Sequence, residues 1–254
     1  MINKIADIVK GRPVLLCLGG NSIAELYDLK RELSDRDICF MGMNVFTPTQ
    51  ELVNSMGHKM EIVFDSATVA ESNSDVYESK IRLPRLDKYL SKDEKNLLVT
   101  SHGLVRDVFT NPKYDWFYKK HSAKIFEIDN VFPVASVGEF MAVPNSATLA
   151  IASAYAGGAS KIAVLGCDGQ AKQVNSYFKS EEHIKERITA LGTVEDRGIS
   201  GDAVRFELEI CDLVNKYKKL FNNPAPIVNC SRTTIHTALQ RIMYADMEDF
   251  LDGN

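Results

Sequence analysis

Cysteine and long apolar runs are both scarce in this chain of 254 residues. The five cysteines are Cys17, Cys39, Cys167, Cys211 and Cys230. They are far apart and odd in number, which indicates neither a disulfide framework nor a zinc site, and four lie in apolar runs as small hydrophobes. No apolar run approaches the length of a membrane span, and the N-terminal MINKIADIVKGRP lacks a signal-peptide core. We therefore expect a cytoplasmic protein without a transmembrane segment.

An excess of positive charge is absent as well. A net charge of −4 and a pI near 5.8 give no electrostatic footprint for nucleic acid, which is therefore not expected as a partner. The hydrophobic content of 45% is enough for a substantial core. Because the chain shows no repeat and no low-complexity linker, we expect a single domain over 1–254. A monomer and a homo-oligomer both stay open.

Short apolar runs alternate with longer amphipathic segments along the chain. Strands are predicted at 13–18, 37–43, 60–65, 96–101, 123–128, 161–167 and 225–229. The clearest helix is predicted at 202–221, with Asp202 as its N-cap. A second helix, SATLAIASAYA at 146–156, is small or apolar on every side and is expected to be buried between layers. This alternation predicts a Rossmann-like α/β fold, a doubly wound and mostly parallel sheet with helices on both faces.

Two regions depart from the alternation. The stretch 66–93 is polar and charged with weak periodicity, and it is interpreted as an irregular crossover on the surface. The stretch 169–201 follows the strand KIAVLGCD and leaves from the carboxyl edge of the sheet, where open parallel sheets bind ligands. We therefore predict that 169–201 forms a lid over a site, with a plain flexible insertion as the alternative.

The stretch VLLCLGGNSIAEL places Gly19, Gly20, Asn21 and Ser22 between a strand and the start of a helix. Backbone N–H groups and the positive end of the helix meet at such a point and favour an anion such as phosphate. The pattern is neither G-x-G-x-x-G nor the Walker loop, and the second strand ends in Asn44 rather than in a ribose-binding acid. A mononucleotide is therefore favoured over a nicotinamide cofactor. The alternative is a plain turn in which Ser22 caps the helix.

Polar residues also flank the buried helix and the strand after it, in the stretch VPNSATLAIASAYAGGASKIAVLGCDGQ. Asn145 and Ser146 precede the helix, and Asp168 ends the strand at the carboxyl edge. Helix capping and turn formation are the structural alternatives for these residues. Together with the first loop, they are expected on one rim of the sheet.

These stretches carry a resemblance to a known group of proteins. NSATLAIASAYAGGASKIAVLGCD resembles, without a gap, a segment of the bacterial lipooligosaccharide sialyltransferases. Their relatives, the archaeal 6-hydroxymethylpterin diphosphokinase-like proteins and the flagellin motility accessory factors, share it. LGGNSIAEL resembles their G-x-G-P-S-L loop, with Asn21 where proline is usual. Asn44 resembles the Asn that ends their second strand, and Asp65 falls where the sialyltransferases carry a further Asn.

The resemblance implies a pocket for a CMP-linked sugar at the switch point of the sheet. Its implied binding residues are Gly19, Gly20, Ser22, Asn44, Asp65, Asn145 and Ser146, with Asp168 at its floor. Asn side chains suit a pyrimidine edge or ribose, and Ser146 at a helix start suits a phosphate. The favoured function is a glycosyltransferase that joins a nucleotide-sugar donor to a glycan or small-molecule acceptor, with no cofactor required.

The predicted lid departs from the family it resembles. The sialyltransferases carry tyrosines in the lid and a histidine, the general base, shortly before the last long helix. Here Tyr177 is the lid counterpart, whereas EDRGISGD offers Arg197 and no histidine. His183, earlier in the lid, is a candidate base, and a solvated surface histidine is its alternative. Arg197 is a candidate for neutralising charge on a departing phosphate.

The stretch IVNCSRTTIHTALQRI brings further candidates to the same edge. Ser231 and Arg232 open the final helix and together suit an anion, with helix capping by Ser231 or Thr233 as the alternative. His236 lies one turn into that helix. It is a candidate for the missing base, and a packed histidine is the alternative.

Two other functions stay open. A pyrophosphoryl transferase resembling the pterin enzyme would require Mg²⁺, for which Asp65, Asp168 and Asp196 offer oxygen ligands. A non-catalytic nucleotide-binding protein is the third interpretation, and the missing histidine favours it.

Overall fold

The computed structural model describes residues 3–43, 47–65, 74–101, 104–128, 132–134, 138–140, 146–167, 227–231 and 245–252. The helix predicted at 202–221 and the lid predicted at 169–201 lie outside these residues.

A parallel sheet of seven strands forms the centre of the structure. The described residues contain nine strands, seven in this sheet and two in a separate pair. In chain order they are β1 (Pro13–Cys17), β2 (Cys39–Met43), β3 (Met60–Asp65), β4 (Leu97–Ser101), β5 (Ile125–Ile128), β6 (Phe132–Val134), β7 (Gly138–Phe140), β8 (Lys161–Leu165) and β9 (Ile227–Asn229). The sheet has the order β5-β4-β3-β2-β1-β8-β9, and β6 and β7 form a separate antiparallel pair. Every predicted strand is confirmed to within two residues at its ends, and the pair β6 and β7 was not predicted.

Helices connect the strands. The α-helices are α1 (Asn3–Val9), α2 (Lys30–Ser34), α3 (Thr47–Ser55), α4 (Ser74–Tyr77), α5 (Leu83–Lys92), α6 (Asp115–His121), α7 (Ser146–Ala156) and α8 (Met247–Asp252). Two 3₁₀ helices span Asn21–Tyr27 and Ser122–Lys124, and two π-helical segments span Glu78–Arg82 and Val105–Phe109. The fold is therefore a Rossmann-like α/β fold, as predicted.

Two apolar layers cover the two faces of the sheet. One contains α1 and α7, with alternate strand residues such as Leu16 and Phe64. The other contains the first 3₁₀ helix, α3, α5, α6 and α8, with the intervening strand residues such as Leu15 and Val63. Burial on both faces explains why the strands are continuous apolar runs instead of alternating ones. It also explains α7, which packs on the sheet and on α1 and buries Ala150, as its composition predicts.

The described cysteines are free and buried within these layers. Burial raises the pKa of the Cys230 thiol to about 12 and that of the Cys17 thiol still further. Both thiols therefore stay protonated at neutral pH and pack as small apolar groups, as expected.

The prediction for 66–93 is wrong over its described part. Residues 74–92 form one continuous helical segment, α4, the first π-helical segment and α5, instead of an irregular surface crossover. Its buried apolar residues are Ile81, Leu83, Leu86, Tyr89 and Leu90. Glu78 and Arg82 are buried too, because they pair with each other. Their charges weakened the apolar pattern, although neither side chain faces water.

In the parts of the chain that the structure describes, no helix is both long enough and apolar enough to cross a membrane.

Candidate functional site

The order of the strands reverses between β1 and β8. From β1 the chain moves outward through β2, β3 and β4 to β5, and it then returns through α7 to β8 on the other side of β1. In open α/β sheets, ligands bind in the crevice outside the carboxyl ends of the two strands at such a switch point. The loops after β1 and β8 are therefore the first place to look for a site.

These two loops are joined by backbone contacts. Leu18 N donates to Leu165 O at 2.8 Å, and Gly20 N donates to Gly166 O at 2.8 Å. The N–H of Gly166 in turn donates to the Ser22 hydroxyl at 3.1 Å. Gly166 has φ +78°, and a Cβ there would lie 2.7 Å from the carbonyl oxygen of Leu18. Only glycine fits, so the floor of the crevice is a closely packed unit.

The glycine loop after β1 is built differently from its prediction. A 3₁₀ helix, instead of an α-helix, begins at Asn21, and Gly20 occupies its N-cap position, so Ser22 is not the cap. Ser22 is buried and its hydroxyl accepts from the loop after β8, whereas Asn21 is exposed and Gly19 is half-buried. The N–H of Gly20 is likewise engaged. Phosphate binding by this loop stays a prediction.

The helix α7 points its N-terminus at the same edge. Its other end is anchored beside the start of β1, where Gly11 N donates to Gly158 O at 2.8 Å and Ser160 N donates to Arg12 O at 3.0 Å. Eleven helical residues rise about 16 Å, roughly the length of a five-residue strand. Ser146, the first residue of α7, therefore lies toward the carboxyl edge, as predicted.

Ser231 joins β9 to the loop after β8. Its hydroxyl accepts from Cys167 N at 3.0 Å and donates to Val164 O at 3.4 Å, and its own N–H donates to Asn229 Oδ1 at 2.9 Å. Ser231 is buried. These contacts give the hydroxyl a structural role, and its binding of an anion stays a prediction.

Asp65 ends β3 and belongs to a buried cluster of charges. Arg82 Nε lies 3.2 Å from Asp65 Oδ2, and Arg82 Nη1 donates to Glu78 Oε1 at 2.6 Å. The three side chains are only 3–4% exposed. The guanidinium carbon lies 5.1 Å from the centre of the Tyr77 ring, and Thr100 donates its hydroxyl to Asp65 O at 2.7 Å. We call Asp65, Glu78 and Arg82 the Arg82 cluster.

Burial controls the protonation of the two carboxyl groups in the Arg82 cluster. It raises the pKa of Asp65, against the opposing effects of Arg82 and Arg85. It also raises the pKa of Glu78 to about 7, where Arg82 opposes the rise and Asp65 adds to it. Asp65 Oδ1 and Glu78 Oε2 accept no hydrogen bond from any described residue. The cluster therefore offers two buried acceptor atoms and a carboxyl group that titrates near neutral pH.

Sequence reasoning found Asp65 through the resemblance and missed Glu78 and Arg82. Both lie in the stretch that was interpreted as an irregular surface segment. The signal was present, since a Glu and an Arg four residues apart precede the apolar residues Leu83, Leu86 and Leu90 at helical spacing. That spacing predicts a helix with the ion pair on one face.

The remaining predicted site residues lie in parts of the chain that the structure does not describe. They are Asn44, Asn145, Asp168, Tyr177, His183, Arg197, Arg232 and His236. Within the described ranges, no three His, Cys, Asp or Glu side chains are grouped to hold a metal ion. Asp65, one of the predicted Mg²⁺ ligands, is paired with Arg82.

The class that the fold defines is a Rossmann-like α/β protein with a switch-point crevice between β1 and β8. No family model matches the chain, and no curated protein sequence matches it. The function proposed below therefore rests on the geometry of this edge and on the motifs that lead to it.

Proposed function

We propose that this chain is a glycosyltransferase that uses a nucleotide-activated sugar, specifically a CMP-linked acidic sugar. The observation that supports it best is the switch-point edge, where the loops after β1 and β8 are joined and the N-terminus of α7 points. A helix N-terminus beside a glycine loop suits the phosphate of a nucleotide. The resemblance of both motifs to the sialyltransferases supports the attached sugar.

The reaction is an inverting displacement. The acceptor hydroxyl attacks the anomeric carbon of the donor, the bond from that carbon to the phosphate oxygen breaks, and CMP leaves. The proton of the acceptor hydroxyl passes to a general base. The α7 N-terminus at Ser146, together with the predicted lid cation Arg197, stabilises the charge on the departing phosphate.

Thermal unfolding in the presence of separate ligands tests this proposal. CMP, CDP, UDP, ATP with Mg²⁺, and a pterin are compared, each at saturating concentration. A ligand at ~100 times its Kd stabilises by about 2.7 kcal/mol, which raises the Tm by roughly 5 °C or more. We expect CMP or CDP to give the largest rise. Stabilisation by ATP with Mg²⁺ but by no cytidine or uridine nucleotide would overturn the proposal and favour the pyrophosphoryl transferase.

Matched variants place the ligand on the proposed edge. Ser146→Ala is expected to reduce the rise in Tm produced by CMP. Ser160→Ala is the control, because Ser160 lies at the other end of α7, beside the start of β1. Equal losses in the two variants would count against binding at the α7 N-terminus.

Catalysis is separated from simple binding by incubation with the donor. Slow hydrolysis of a CMP-linked acidic sugar that disappears in Ser146→Ala and Asn44→Ala is the result expected of a transferase. Tight binding without any donor turnover would favour the non-catalytic interpretation.

A further inference from the structure

The Arg82 cluster contains more carboxylate than its arginine satisfies. Arg82 contacts one oxygen of each carboxyl group, at 3.2 Å for Asp65 Oδ2 and 2.6 Å for Glu78 Oε1. The second oxygen of each is buried and accepts no hydrogen bond from the described residues. A buried acceptor without a donor is costly, and each such group in a native structure calls for an explanation, of which a functional role is one.

The cluster also has the right place for a ligand. Asp65 is the last residue of β3, at the carboxyl edge that carries the switch-point crevice. Its side chain and the first 3₁₀ helix lie on the same face of the sheet, the face that α5 covers. β3 is separated from β1 by β2 alone, a distance of about 10 Å across the sheet. A ligand whose phosphate lies at the β1 loop can extend over this distance.

The charge of the cluster selects the chemistry of that ligand. Among the described residues, the charged and titratable groups around Glu78 are Asp65 on β3, Arg82 on its own helix and Tyr77 against Arg82, with Arg85 acting on Asp65. One arginine faces both carboxyl groups, and burial raises the pKa of both, that of Glu78 to about 7. The net charge is therefore small. Neutral donors such as hydroxyl groups suit two such oxygens better than a cation does.

We propose that Asp65 and Glu78 bind neighbouring hydroxyl groups of the ligand through Asp65 Oδ1 and Glu78 Oε2, and that Arg82 is the positioning residue that holds the two carboxylates together. Glu78 becomes ionised when it accepts these hydrogen bonds, so binding releases its proton to the solvent. This inference rests on the proposed nucleotide-sugar function for the position of the ligand. The hydroxyl groups come either from the ribose or from the sugar.

Isothermal titration calorimetry with pairs of probes tests the inference. CMP is compared with 2′,3′-dideoxy-CMP and with CMP-sialic acid, and ATP is compared with 2′,3′-dideoxy-ATP. Titration at pH 7 in buffers of different ionisation enthalpy counts the protons released. The variants are Glu78→Gln and the matched control Glu61→Gln, whose carboxylate lies near the start of the same strand and pairs with Arg12.

Two results support the inference and identify the source of the hydroxyl groups. For ribose, removal of the hydroxyl groups weakens binding about tenfold, as does Glu78→Gln, and the two effects are not additive. If the hydroxyl groups belong to the sugar, CMP-sialic acid binds more tightly than CMP. Glu78→Gln then removes this difference in affinity and leaves the affinity for CMP unchanged. In both cases proton release disappears with Glu78→Gln and persists with Glu61→Gln.

Other results overturn the inference. The first is equal affinity for the two members of every probe pair, with and without the hydroxyl groups. The second is equal weakening of the hydroxyl-bearing and dideoxy probes by Glu78→Gln. The third is the absence of proton release when the wild type binds the probes. If Glu78→Gln does not fold, the wild-type probe pairs and proton counts still decide the matter. Comparison of ATP with 2′,3′-dideoxy-ATP separates failure of the proposed function from failure of this inference. Hydroxyl-dependent binding of ATP, without binding of any cytidine nucleotide, would contradict the glycosyltransferase proposal and still support hydroxyl binding by Asp65 and Glu78.

Discussion

The two ends of β3 carry similar groups in opposite surroundings. Near its start, Arg12 bridges Glu61 at 2.8 Å and Asp37 at 2.7 Å, with the three side chains 18–78% exposed. At its carboxyl end, the Arg82 cluster repeats one arginine between two carboxylates at 3–4% exposure. Water screens the first set and not the second. Removal of one partner of an ion pair is therefore expected to cost little free energy at one end of the strand and much at the other.

Hydrogen bonding sharpens the difference. At the amino end, Arg12 Nη1 contacts both carboxylate oxygens of Glu61 and also donates to Ile8 O at 2.7 Å. The Arg82 cluster leaves one oxygen of each carboxyl group without a described donor. The hydrogen-bonded group around Arg12 lies at the amino edge of the sheet. The Arg82 cluster, with its two unpaired oxygens, lies at the carboxyl edge, where α/β proteins bind ligands. The contrast predicts different responses to the same substitutions.

The largest difference is expected from removal of the two arginines. Arg82→Met leaves two buried carboxyl groups without their cation, which lowers the free energy of unfolding by about 3–5 kcal/mol. Arg12→Met, at the exposed end, is expected to cost about 1 kcal/mol or less. Urea unfolding at pH 7 measures both. Similar losses in the two variants would mean that burial does not distinguish the clusters.

Stability as a function of pH is expected to separate Glu78 from Glu61. The pKa of Glu78 is raised to about 7 by burial, so the folded state holds a proton that the unfolded state releases above its ordinary pKa of 4.5. The stabilisation is complete below that ordinary pKa and is lost as pH rises toward 7, by up to about 3 kcal/mol. Glu78→Gln removes this part of the decline.

Urea unfolding at intervals from pH 4.5 to pH 8 measures the slope. Glu61→Gln is the control and is expected to keep the decline of the wild type. A slope in Glu78→Gln that matches the wild type would contradict the assignment to Glu78.

The glycine turns at the two edges of the sheet also differ in how closely they are packed, with the tighter turn at the carboxyl edge. Gly166 follows β8 at the carboxyl edge and Gly11 precedes β1 at the amino edge, with φ of +78° and +75°. A Cβ at Gly166 would lie 2.7 Å from the carbonyl oxygen of Leu18, whereas nothing lies within 4 Å at Gly11. Gly11→Ala is expected to cost about 1 kcal/mol for its backbone conformation alone. Gly166→Ala adds the displacement of the β1 loop, for a total of roughly 2–3 kcal/mol.

Chemical unfolding of the two alanine variants checks these values, and CMP binding provides a second measurement. Gly166→Ala is expected to weaken CMP binding because it separates the loops after β1 and β8. Gly11→Ala is expected to bind as the wild type does. Unchanged binding in Gly166→Ala would show that the joined loops are not part of the site.

The parts of the fold that sequence predicts well are those with local causes. The strands are buried on both faces, so each is a short apolar run, and α7 is apolar all round between Ser146 and the glycines that end it. In the Arg82 cluster only the pair of Glu78 and Arg82, four residues apart, has a local cause. Arg82 looks exposed by its charge, and only the fold brings Asp65 beside it. Likewise, the hydrogen bond from Gly166 to Ser22 joins residues 144 positions apart.

The smallest effect concerns two hydroxyl groups that hold the ends of β3. Thr100 donates to Asp65 O at 2.7 Å, and Tyr89 donates to Glu61 O at 2.9 Å. Thr100→Val and Tyr89→Phe each remove one buried hydrogen bond, so each is expected to lower stability by about 1 kcal/mol. Their effects on ligand binding should differ, because only Thr100 supports the backbone of a proposed binding residue. Calorimetry with CMP-sialic acid should show weaker binding in Thr100→Val and wild-type binding in Tyr89→Phe, and the reverse result would place the ligand away from Asp65.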